Sequence, residues 1–302
     1  MDRFDAMRVF TRIVERRSFT AAAQDLGLPR STVTEVVQQL EARVGVRLLQ
    51  RTTRHVTPTL DGEAYHRRCL AIIADVEDAD AAFSASKPKG LLRVDVHGTL
   101  ARHFLLPGLP AFLELYPGLE LHLGEGDRLV DLVREGIDCV LRVGDLQDSS
   151  MVGRRVAMLN EATCASPAYL ARYGAPGTPD DLDGHRMIGF VSSATGNFIP
   201  LEFTVAGTLR RITLPATVSV VNAETNVMAA RLGLGIIQVP RYRVEADLAA
   251  GTLVEILPDF PPDLLPVSLL YPHSRQLSPR VRVFIDWLTH EFARHLGEAQ
   301  SL

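Results

Sequence analysis

Apolar residues recur every three or four positions at the start of the chain. Met7, Phe10, Ile13 and Val14 follow this spacing, which predicts a helix over residues 5–15 with one buried face. A helix with a single apolar face packs that face against other elements, so the pattern indicates a small helical domain.

Two further helices are predicted before residue 45. Thr20 is expected to cap an alanine-rich second helix, which ends at Gly27-Leu28-Pro29 because glycine suits a helix end and proline suits the first turn of the next helix. The third helix is predicted over residues 30–44. Its apolar positions form one stripe that is expected to be buried: Val33, Val37, Leu40 and Val44. Helices joined by such a tight turn form a helix-turn-helix.

The character of the chain changes from helical to extended after the third helix. Residues 50–58 are rich in threonine and basic residues and predict a β-wing. Thr59 is expected to cap a long helix over residues 60–84, and a helix of this length between two domains favours pairing with a second copy. A linker follows, and it contains the only two lysines of the chain, Lys87 and Lys89.

From residue 91 onward, short apolar runs alternate with helical segments. This alternation predicts a parallel β-sheet with helices on both faces. The strands are expected at residues 91–96, 119–123, 139–143, 161–165, 188–191, 218–221, 235–239 and 267–271. The helices are expected at residues 100–115, 129–135, 224–233 and 279–296.

Composition and charge agree with a globular protein of about two domains. The chain has 302 residues and a formal net charge of −4, but the charge is unevenly distributed. Residues 1–68 contain 12 arginines and 8 acidic residues, and the remainder contains 20 basic and 28 acidic residues. This asymmetry indicates that the first segment binds a polyanion and the rest does not.

Several classes of protein are not expected from this sequence. No apolar run is long enough to span a bilayer, and no signal peptide is recognised, so a cytoplasmic protein without membrane contact is expected. Cys69, Cys139 and Cys164 are few, odd in number and too far apart for a zinc site, so neither disulfides, metals nor cofactors are expected. Nucleophile elbows, zinc-protease motifs and nucleotide-binding loops are also missing from the sequence, so an enzyme is not expected.

The first 66 residues resemble the LysR-type transcriptional regulators. The matching positions are Phe10, Val14, Ser18-Phe19-Thr20-Ala21-Ala22-Ala23, Leu26, Val33-Thr34, Leu40-Glu41, Gly45-Val46-Arg47-Leu48-Leu49, Arg51, Arg54, Thr59 and Gly62. The resemblance continues through the family's effector domain, at Leu105-Leu106-Pro107, Phe112, Tyr116-Pro117, residues 131–138 and residues 165–170. Leu49 stands where Phe is frequent in the family, Pro29 replaces the usual Ser or Thr cap, and Glu35 occupies a position where a polar or basic residue is common.

The resemblance implies a fold and a domain organisation. Residues 1–58 would form an all-α winged helix-turn-helix that binds DNA, and residues 59–90 a long linker and dimerisation helix with a hinge. Residues 91–302 would form an α/β effector-binding domain of two lobes, similar to periplasmic binding proteins. Lobe I would comprise residues 91–160 and 267–302, and lobe II residues 161–266. The crossing strands would lie near residues 160–163 and 266–269.

The resemblance also implies a function. The protein would bind a pseudo-palindromic operator in double-stranded DNA as a dimer or homotetramer, and a small organic effector, a carboxylate or an aromatic compound, would modulate it. RNA polymerase would be a further partner if the protein activates transcription. A transport-type solute-binding protein and a redox sensor are the rival interpretations, and the attached winged helix argues against the first.

The third helix and the wing carry the candidate DNA-binding residues. Arginine pairs with guanine, glutamine with adenine, and glutamate accepts a hydrogen bond from cytosine N4. The alternative is a solvated helix face and, for Arg51, a salt bridge within the domain. The candidates are Thr20, Arg30, Ser31, Thr32, Thr34, Glu35, Gln38, Arg51, Thr53 and Arg54.

The candidate effector site lies between the two lobes, after the strands that end there. Thr99 is expected to cap the next helix and to hold an anion together with free N–H groups. The alternatives are an N-cap without a ligand, a surface turn at residues 193–197 and, for Glu224, interaction with a helix dipole only. The candidates are His97, Gly98, Thr99, Leu100, Arg102, Phe190, Ser192, Ser193, Asn197, Asn222, Glu224 and Thr225.

Overall fold

A computed structural model describes most of the chain, namely residues 1–51, 56–82, 87–126, 132, 136–144, 151–193, 195–272 and 278–296. The α-helices in this part are α1 (Arg3–Arg16), α2 (Phe19–Leu26), α3 (Arg30–Val44), α4 (Leu60–Ala82), α5 (Gly98–Leu100), α6 (Leu109–Leu115), α7 (Pro167–Tyr173), α8 (Ala223–Arg231), α9 (Glu245–Ala250) and α10 (Pro279–Leu296). The strands are β1 (Leu49–Arg51), β2 (Val56–Pro58), β3 (Gly90–Val96), β4 (Leu119–Glu125), β5 (Cys139–Val143), β6 (Met151–Leu159), β7 (Glu161–Ala165), β8 (Gly189–Phe190), β9 (Leu201–Val205), β10 (Thr208–Ile212), β11 (Ser219–Val220), β12 (Ile237–Pro240), β13 (Val254–Glu255) and β14 (Leu265–Pro272).

The N-terminal unit is a winged helix-turn-helix, as predicted. Helices α1 to α3 share one core, and β1 and β2 form an antiparallel wing beside it. Two details of the prediction were wrong. Ser18 rather than Thr20 caps α2, because Ser18 is the extended residue and its Oγ accepts from the N–H of Ala21 at 3.2 Å. Val44 is 38% exposed because the helix ends there, and Val36 is buried instead.

Two side chains, those of Glu41 and Thr59, connect the wing to its neighbouring helices through hydrogen bonds. Glu41 of α3 accepts through Oε1 from the N–H groups of Leu48 (2.8 Å) and Leu49 (3.0 Å). Thr59 caps α4, as predicted: its Oγ1 accepts from Gly62 N–H at 2.9 Å and donates to the carbonyl of Arg47 at 2.7 Å. Helix α3, the wing and helix α4 are therefore joined near one point.

Lobe I of the C-terminal domain is built on a five-stranded sheet with the order β4-β3-β5-β14-β6. Strand β3 is parallel to β4 and β5, whereas β14 is antiparallel to β5 and β6. The prediction of a parallel sheet therefore holds for β4, β3 and β5 and is wrong for β14 and β6. The reason is that β6 was not recognised and that β14 enters the sheet from the opposite lobe. Helix α10 packs on the sheet through Phe284, Leu288 and Phe292.

Lobe II contains smaller sheets and two apolar clusters. Strand β7 pairs antiparallel with β12 and β13, β8 and β11 form a parallel pair, and β9 and β10 form a hairpin. The chain enters this lobe at Asn160, between β6 and β7, and leaves it between β13 and β14. Since β14 begins at Leu265 and already belongs to the sheet of lobe I, the return crossing precedes the predicted residues 266–269.

Other element predictions match to different degrees. The bounds of α3, β5, β7 and α10 agree with the prediction. The helix predicted over residues 100–115 is interrupted: α5 continues into a π-helical turn, Ala101–Leu105, and α6 starts after it. Of the helix predicted over residues 129–135, Leu132 is helical and the other residues lie outside the described part of the chain.

Candidate DNA-binding surface and effector cleft

Helix α3 has one buried face and one exposed face. Val33, Val36, Val37 and Leu40 are buried in the core of the winged domain. With about 100° of rotation per residue, Ser31, Glu35 and Gln38 lie roughly opposite this apolar stripe. Among the predicted contact residues of this helix, those exposed are Arg30, Ser31, Glu35 and Gln38, and those half-buried are Thr32 and Thr34.

Two hydrogen bonds restrain polar side chains on α3. Thr34 Oγ1 donates to the carbonyl of Arg30 at 3.0 Å, one helical turn earlier. Gln39 Nε2 donates to Glu35 Oε1 at 3.1 Å. Gln39 was not among the predicted residues, although its spacing of four from Glu35 could have indicated the pair.

The other predicted DNA contacts lie on α2 and the wing. Thr20 is exposed on the first turn of α2. Arg51 belongs to β1, and its backbone pairs with Val56 of β2. Thr53 and Arg54 lie outside the described residues.

His97 and Thr99 form the lobe I edge of the cleft, directly after β3. His97, not Thr99, is the N-cap of α5, because the chain is still extended at His97. Its Nδ1 accepts from Thr99 N–H at 3.3 Å and lies 2.8 Å from Thr99 Oγ1. The expected anion site on free N–H groups is therefore not supported, since the Thr99 N–H is engaged and α5 has only three residues.

Tyr242 contacts the same edge from the segment that follows β12. Its hydroxyl oxygen lies 2.8 Å from Thr99 Oγ1. Its ring packs against His103 and Phe104, with centroid distances of 4.8 and 5.0 Å. Sequence reasoning missed Tyr242, because a contact across 143 residues leaves no local pattern.

Arg102 bridges the two lobes. Its Nη1 lies 3.0 Å from Glu125 Oε2 at the end of β4 in lobe I, and its Nη2 lies 2.5 Å from Glu224 Oε1 in lobe II. Gly98 makes room for this pair, since a Cβ there would lie 2.6 Å from Glu125 Oε2 and 2.9 Å from Arg102 Nη2. All three charged side chains remain partly exposed, at 45%, 48% and 61% for Arg102, Glu125 and Glu224. An exposed ion pair of this kind contributes at most about 1 kcal/mol, so another anion can replace one carboxylate.

Asn222 positions the lobe II side of this bridge. It caps α8, and its Oδ1 accepts from the N–H groups of Glu224 (3.0 Å) and Thr225 (3.1 Å). Arg243 donates to the carbonyl of Ala223 in the same turn. The structure therefore brings together His97, Gly98, Thr99 and Arg102 with Asn222, Glu224 and Thr225.

The remaining predicted effector residues are placed differently. Leu100 is fully buried in the core of lobe I, and Phe190 packs against the core of lobe II. Ser192 accepts from Thr195 N–H at 3.4 Å and donates its own N–H to Asn197 O at 2.9 Å. These bonds lie within one exposed turn that also contains Ser193, which supports the alternative of a surface turn.

Several polar and charged side chains cluster where the chain enters lobe II. Burial and the charge of Glu202 raise the pKa of Glu161 to about 7, and Arg243 partly offsets this. Gln238 ties the neighbouring strands together, accepting from Glu202 N–H at 2.8 Å and donating to Thr163 Oγ1 at 2.8 Å. The entry point of the lobe is thus fixed by side-chain as well as backbone bonds.

The cysteines are buried free thiols in the described structure. Burial raises the pKa of Cys69 and Cys164 to about 12 and that of Cys139 well above its usual value. Thiols held in the neutral form are poor nucleophiles, so the geometry does not favour the redox-sensor interpretation.

Two sequence profiles match the chain. The profile described as a bacterial regulatory helix-turn-helix protein of the lysR family matches residues 4–63, and the LysR substrate binding domain matches residues 85–293. The chain belongs to the LysR-type transcriptional regulators. Like other members of this family, it is a DNA-binding regulator whose activity a small-molecule effector modulates. Within the described residues, no helix has the length and hydropathy needed to cross a bilayer.

Individual relatives of this LysR-type regulator align over almost their full length. The HTH-type transcriptional regulator YhjC of Escherichia coli is 38% identical, with 98% of this chain and 100% of the relative covered. An HTH-type transcriptional repressor of Pseudomonas aeruginosa is 36% identical, with 98% and 94% covered. The solved structure of CrgA, a LysR-type regulator from Neisseria meningitidis, matches with a TM-score of 0.60 at 30% identity and covers 95% of this chain and 98% of that one.

Proposed function

We propose that this regulator binds a pseudo-palindromic operator as a dimer, assembled into a tetramer, through α3 and the wing. The exposed polar face of α3 supports major-groove binding. Ile72 and Val76 support pairing through the linker helix, since they lie one turn apart on α4 and are 41% and 40% exposed. The proposed DNA contacts are Thr20, Arg30, Ser31, Thr32, Thr34, Glu35, Gln38, Arg51, Thr53 and Arg54.

The proposed effector is a small organic carboxylate that binds in the cleft between the lobes. The observation that carries this proposal is the Arg102 bridge, in which one guanidinium joins Glu125 of lobe I to Glu224 of lobe II. A ligand carboxylate would replace Glu224 as the partner of Arg102. Neighbouring polar groups would complete the site: His97, Thr99, Asn222 and Thr225.

If a ligand carboxylate replaced Glu224 as the partner of Arg102, the position of one lobe relative to the other would change. Because the ligand binds the arrangement without the Arg102–Glu224 contact more tightly, it shifts the population toward that arrangement. The altered lobes would then change the spacing of the paired DNA-binding units. The site of action is the cytoplasm, where free thiols are retained, and RNA polymerase is a partner if the protein activates transcription.

Arg102→Met tests the proposed effector site. Benzoate and succinate serve as aromatic and aliphatic carboxylate probes, and benzamide as the neutral isostere of benzoate. We expect at least one carboxylate to raise the melting temperature of the full-length protein, benzamide to have no effect, and Arg102→Met to abolish the shift. Glu224→Gln should strengthen probe binding, because it removes the internal competitor.

Arg154→Met is the matched control, since it removes an exposed arginine of lobe I that pairs with Asp286. It should leave the thermal shift unchanged. A carboxylate shift that survives Arg102→Met, or no shift with either carboxylate, would contradict the proposed site and ligand class.

A further inference from the structure

Lobe II contains a cavity of its own, apart from the cleft between the lobes. Its volume is about 600 Å³, which lies within the range of roughly 300–1,000 Å³ that is typical of small-molecule sites. One wall comes from residues 179–186, which begin with a 3₁₀ turn, and the other from residues 210–215 at the end of β10 and after it. All lining residues belong to lobe II, and none of them is a residue of the proposed effector cleft.

Two contacts hold the walls of this cavity together. Arg210 Nη2 lies 2.9 Å from Asp180 Oδ1, and this ion pair is partly exposed. The N–H of Met187 donates to the carbonyl of Pro215 at 3.1 Å. Since the two walls are joined by a side-chain pair and by a backbone hydrogen bond, the space between them is a defined part of the fold.

Tyr169 of α7 fixes the backbone of one wall. Its hydroxyl accepts from the N–H of Arg186 at 2.8 Å and lies 3.2 Å from both the carbonyl of Arg186 and Nδ1 of His185. Tyr169 and His185 are only 1% and 5% exposed, and the ring of Tyr169 stacks on that of Tyr173 at 4.6 Å between centroids. The side chain of Arg186 therefore extends from a backbone position that is already fixed, which lowers the cost of ordering it around a ligand.

The inner part of the cavity is apolar. Leu182 and Leu214 line it and are 2% and 7% exposed, and Ile212 lines it from β10. All three belong to, or pack against, one of the two apolar clusters of lobe II. A hydrophobic group of a ligand placed against these side chains would be removed from water, which favours binding.

The charges around the cavity are balanced, but two of them are unpaired. Asp180 and Arg210 pair with each other, and His185 is bonded to Tyr169. Asp183 and Arg186 are exposed, and neither side chain forms an ion pair or a hydrogen bond with any residue of the described part of the chain. Two carboxylates and two guanidinium groups give no net charge, so the cavity favours neither a simple anion nor a simple cation. A molecule with one carboxylate and one ammonium group can pair with Arg186 and Asp183 at the same time.

We propose that this cavity is a second ligand site and that it takes an amino acid with an apolar side chain. The carboxylate of the ligand pairs with Arg186, and its ammonium group pairs with Asp183. Its side chain packs on Leu182, Ile212 and Leu214. The inference does not depend on the proposed effector cleft, because the two sites share no residue.

Titration calorimetry of the full-length protein tests this site, with L-phenylalanine and L-leucine as the aromatic and aliphatic probes. The measurement uses Arg102→Met protein, so that a carboxylate cannot bind Arg102 in the cleft. We expect at least one amino acid to bind. Its amide, which lacks the carboxylate, and its deamino analogue (3-phenylpropanoate or 4-methylpentanoate), which lacks the ammonium group, should each bind about tenfold or more weakly, because each loses one charge-assisted pair.

Two further substitutions in this protein locate the binding. Arg186→Met and Asp183→Asn should each weaken binding of the amino acid about tenfold or more. Neither side chain is bonded within the described structure, so the melting temperature without ligand should stay that of the parent. Arg172→Met is the matched control, since Arg172 is an exposed arginine of the same lobe that does not line the cavity, and it should leave binding unchanged.

Three results would overturn the inference. The first is that neither amino acid binds to Arg102→Met protein. The second is that binding survives both Arg186→Met and Asp183→Asn, and the third is that the amide or the deamino analogue binds as well as the amino acid. None of these results bears on the proposed cleft site, which the benzoate and succinate shifts of the wild-type protein test separately.

Discussion

Gly62→Ala should destabilise the winged domain by about 3 kcal/mol. A Cβ at Gly62 would lie 1.9 Å from the carbonyl oxygen of Leu48 and 2.9 Å from its carbonyl carbon. Both atoms are backbone, so the first turn of α4 must move away from the wing by about 1 Å or more to restore an ordinary contact distance. That movement also weakens the bonds of Thr59 to Leu48 and Arg47.

The direction of the stability change distinguishes the steric collision with Leu48 from an effect of helix propensity. Glycine to alanine within a helix normally stabilises by up to about 1 kcal/mol, so a loss can only come from the collision. Ala64→Gly, at an exposed position on the same helix, is the control and should cost about 1 kcal/mol. Urea-dependent hydrogen exchange of α1 and α3 amides measures the effect. Wild-type stability of Gly62→Ala would refute the close packing of wing and linker helix.

Glu35→Gln should change the base preference of the protein at one position in each half-site. Glu35 lies near the middle of the exposed face of α3, and a carboxylate there repels phosphates. Its favourable partner on a base edge is the N4 amino group of cytosine, because a carboxylate only accepts hydrogen bonds. Gln39 Nε2 donates to Glu35 Oε1 at 3.1 Å, and we propose that Oε2 accepts the hydrogen bond from the base. Discrimination at that position should fall by about 1–3 kcal/mol.

Selection of duplexes from a random pool measures this preference directly. Glutamine pairs with adenine, so Glu35→Gln should replace a C·G preference by A·T, and Gln39→Ala should weaken the C·G preference without replacing it. Glu114→Gln removes one exposed carboxylate from α6 and controls for net charge. If Glu35→Gln changes affinity equally for all duplexes, Glu35 is not a base reader.

The elements that the sequence predicted best have strong local signals. Helix α3 lies between Pro29 and Gly45, and its apolar stripe specifies both its length and its buried face. The bounds of β5, β7 and α10 were equally clear, because short apolar runs and a proline mark where they begin and end. The order of the helix-turn-helix, wing, linker helix and α/β domain follows from these segments and from the family resemblance.

The parts that could not be predicted depend on contacts that are distant in the sequence. Strand β6 carries three exposed residues in a row, from Gly153 to Arg155, and becomes a strand because it pairs with β14. In the cleft, the sequence indicated Arg102 and Glu224 but not that they meet, nor that Tyr242 reaches Thr99. Side-chain caps were misplaced by two residues at Thr20 and Thr99, because both the true cap and its neighbour are polar.

Footprinting of the purified full-length protein over a series of salt concentrations tests the central proposal most directly. The DNA would be the intergenic region beside its own gene and, in parallel, duplexes selected from a random pool. We predict a protected site with dyad symmetry whose affinity falls steeply as salt increases, because arginines release counterions from the phosphates. Absence of protection on both kinds of DNA at every salt concentration would contradict operator binding by α3 and the wing.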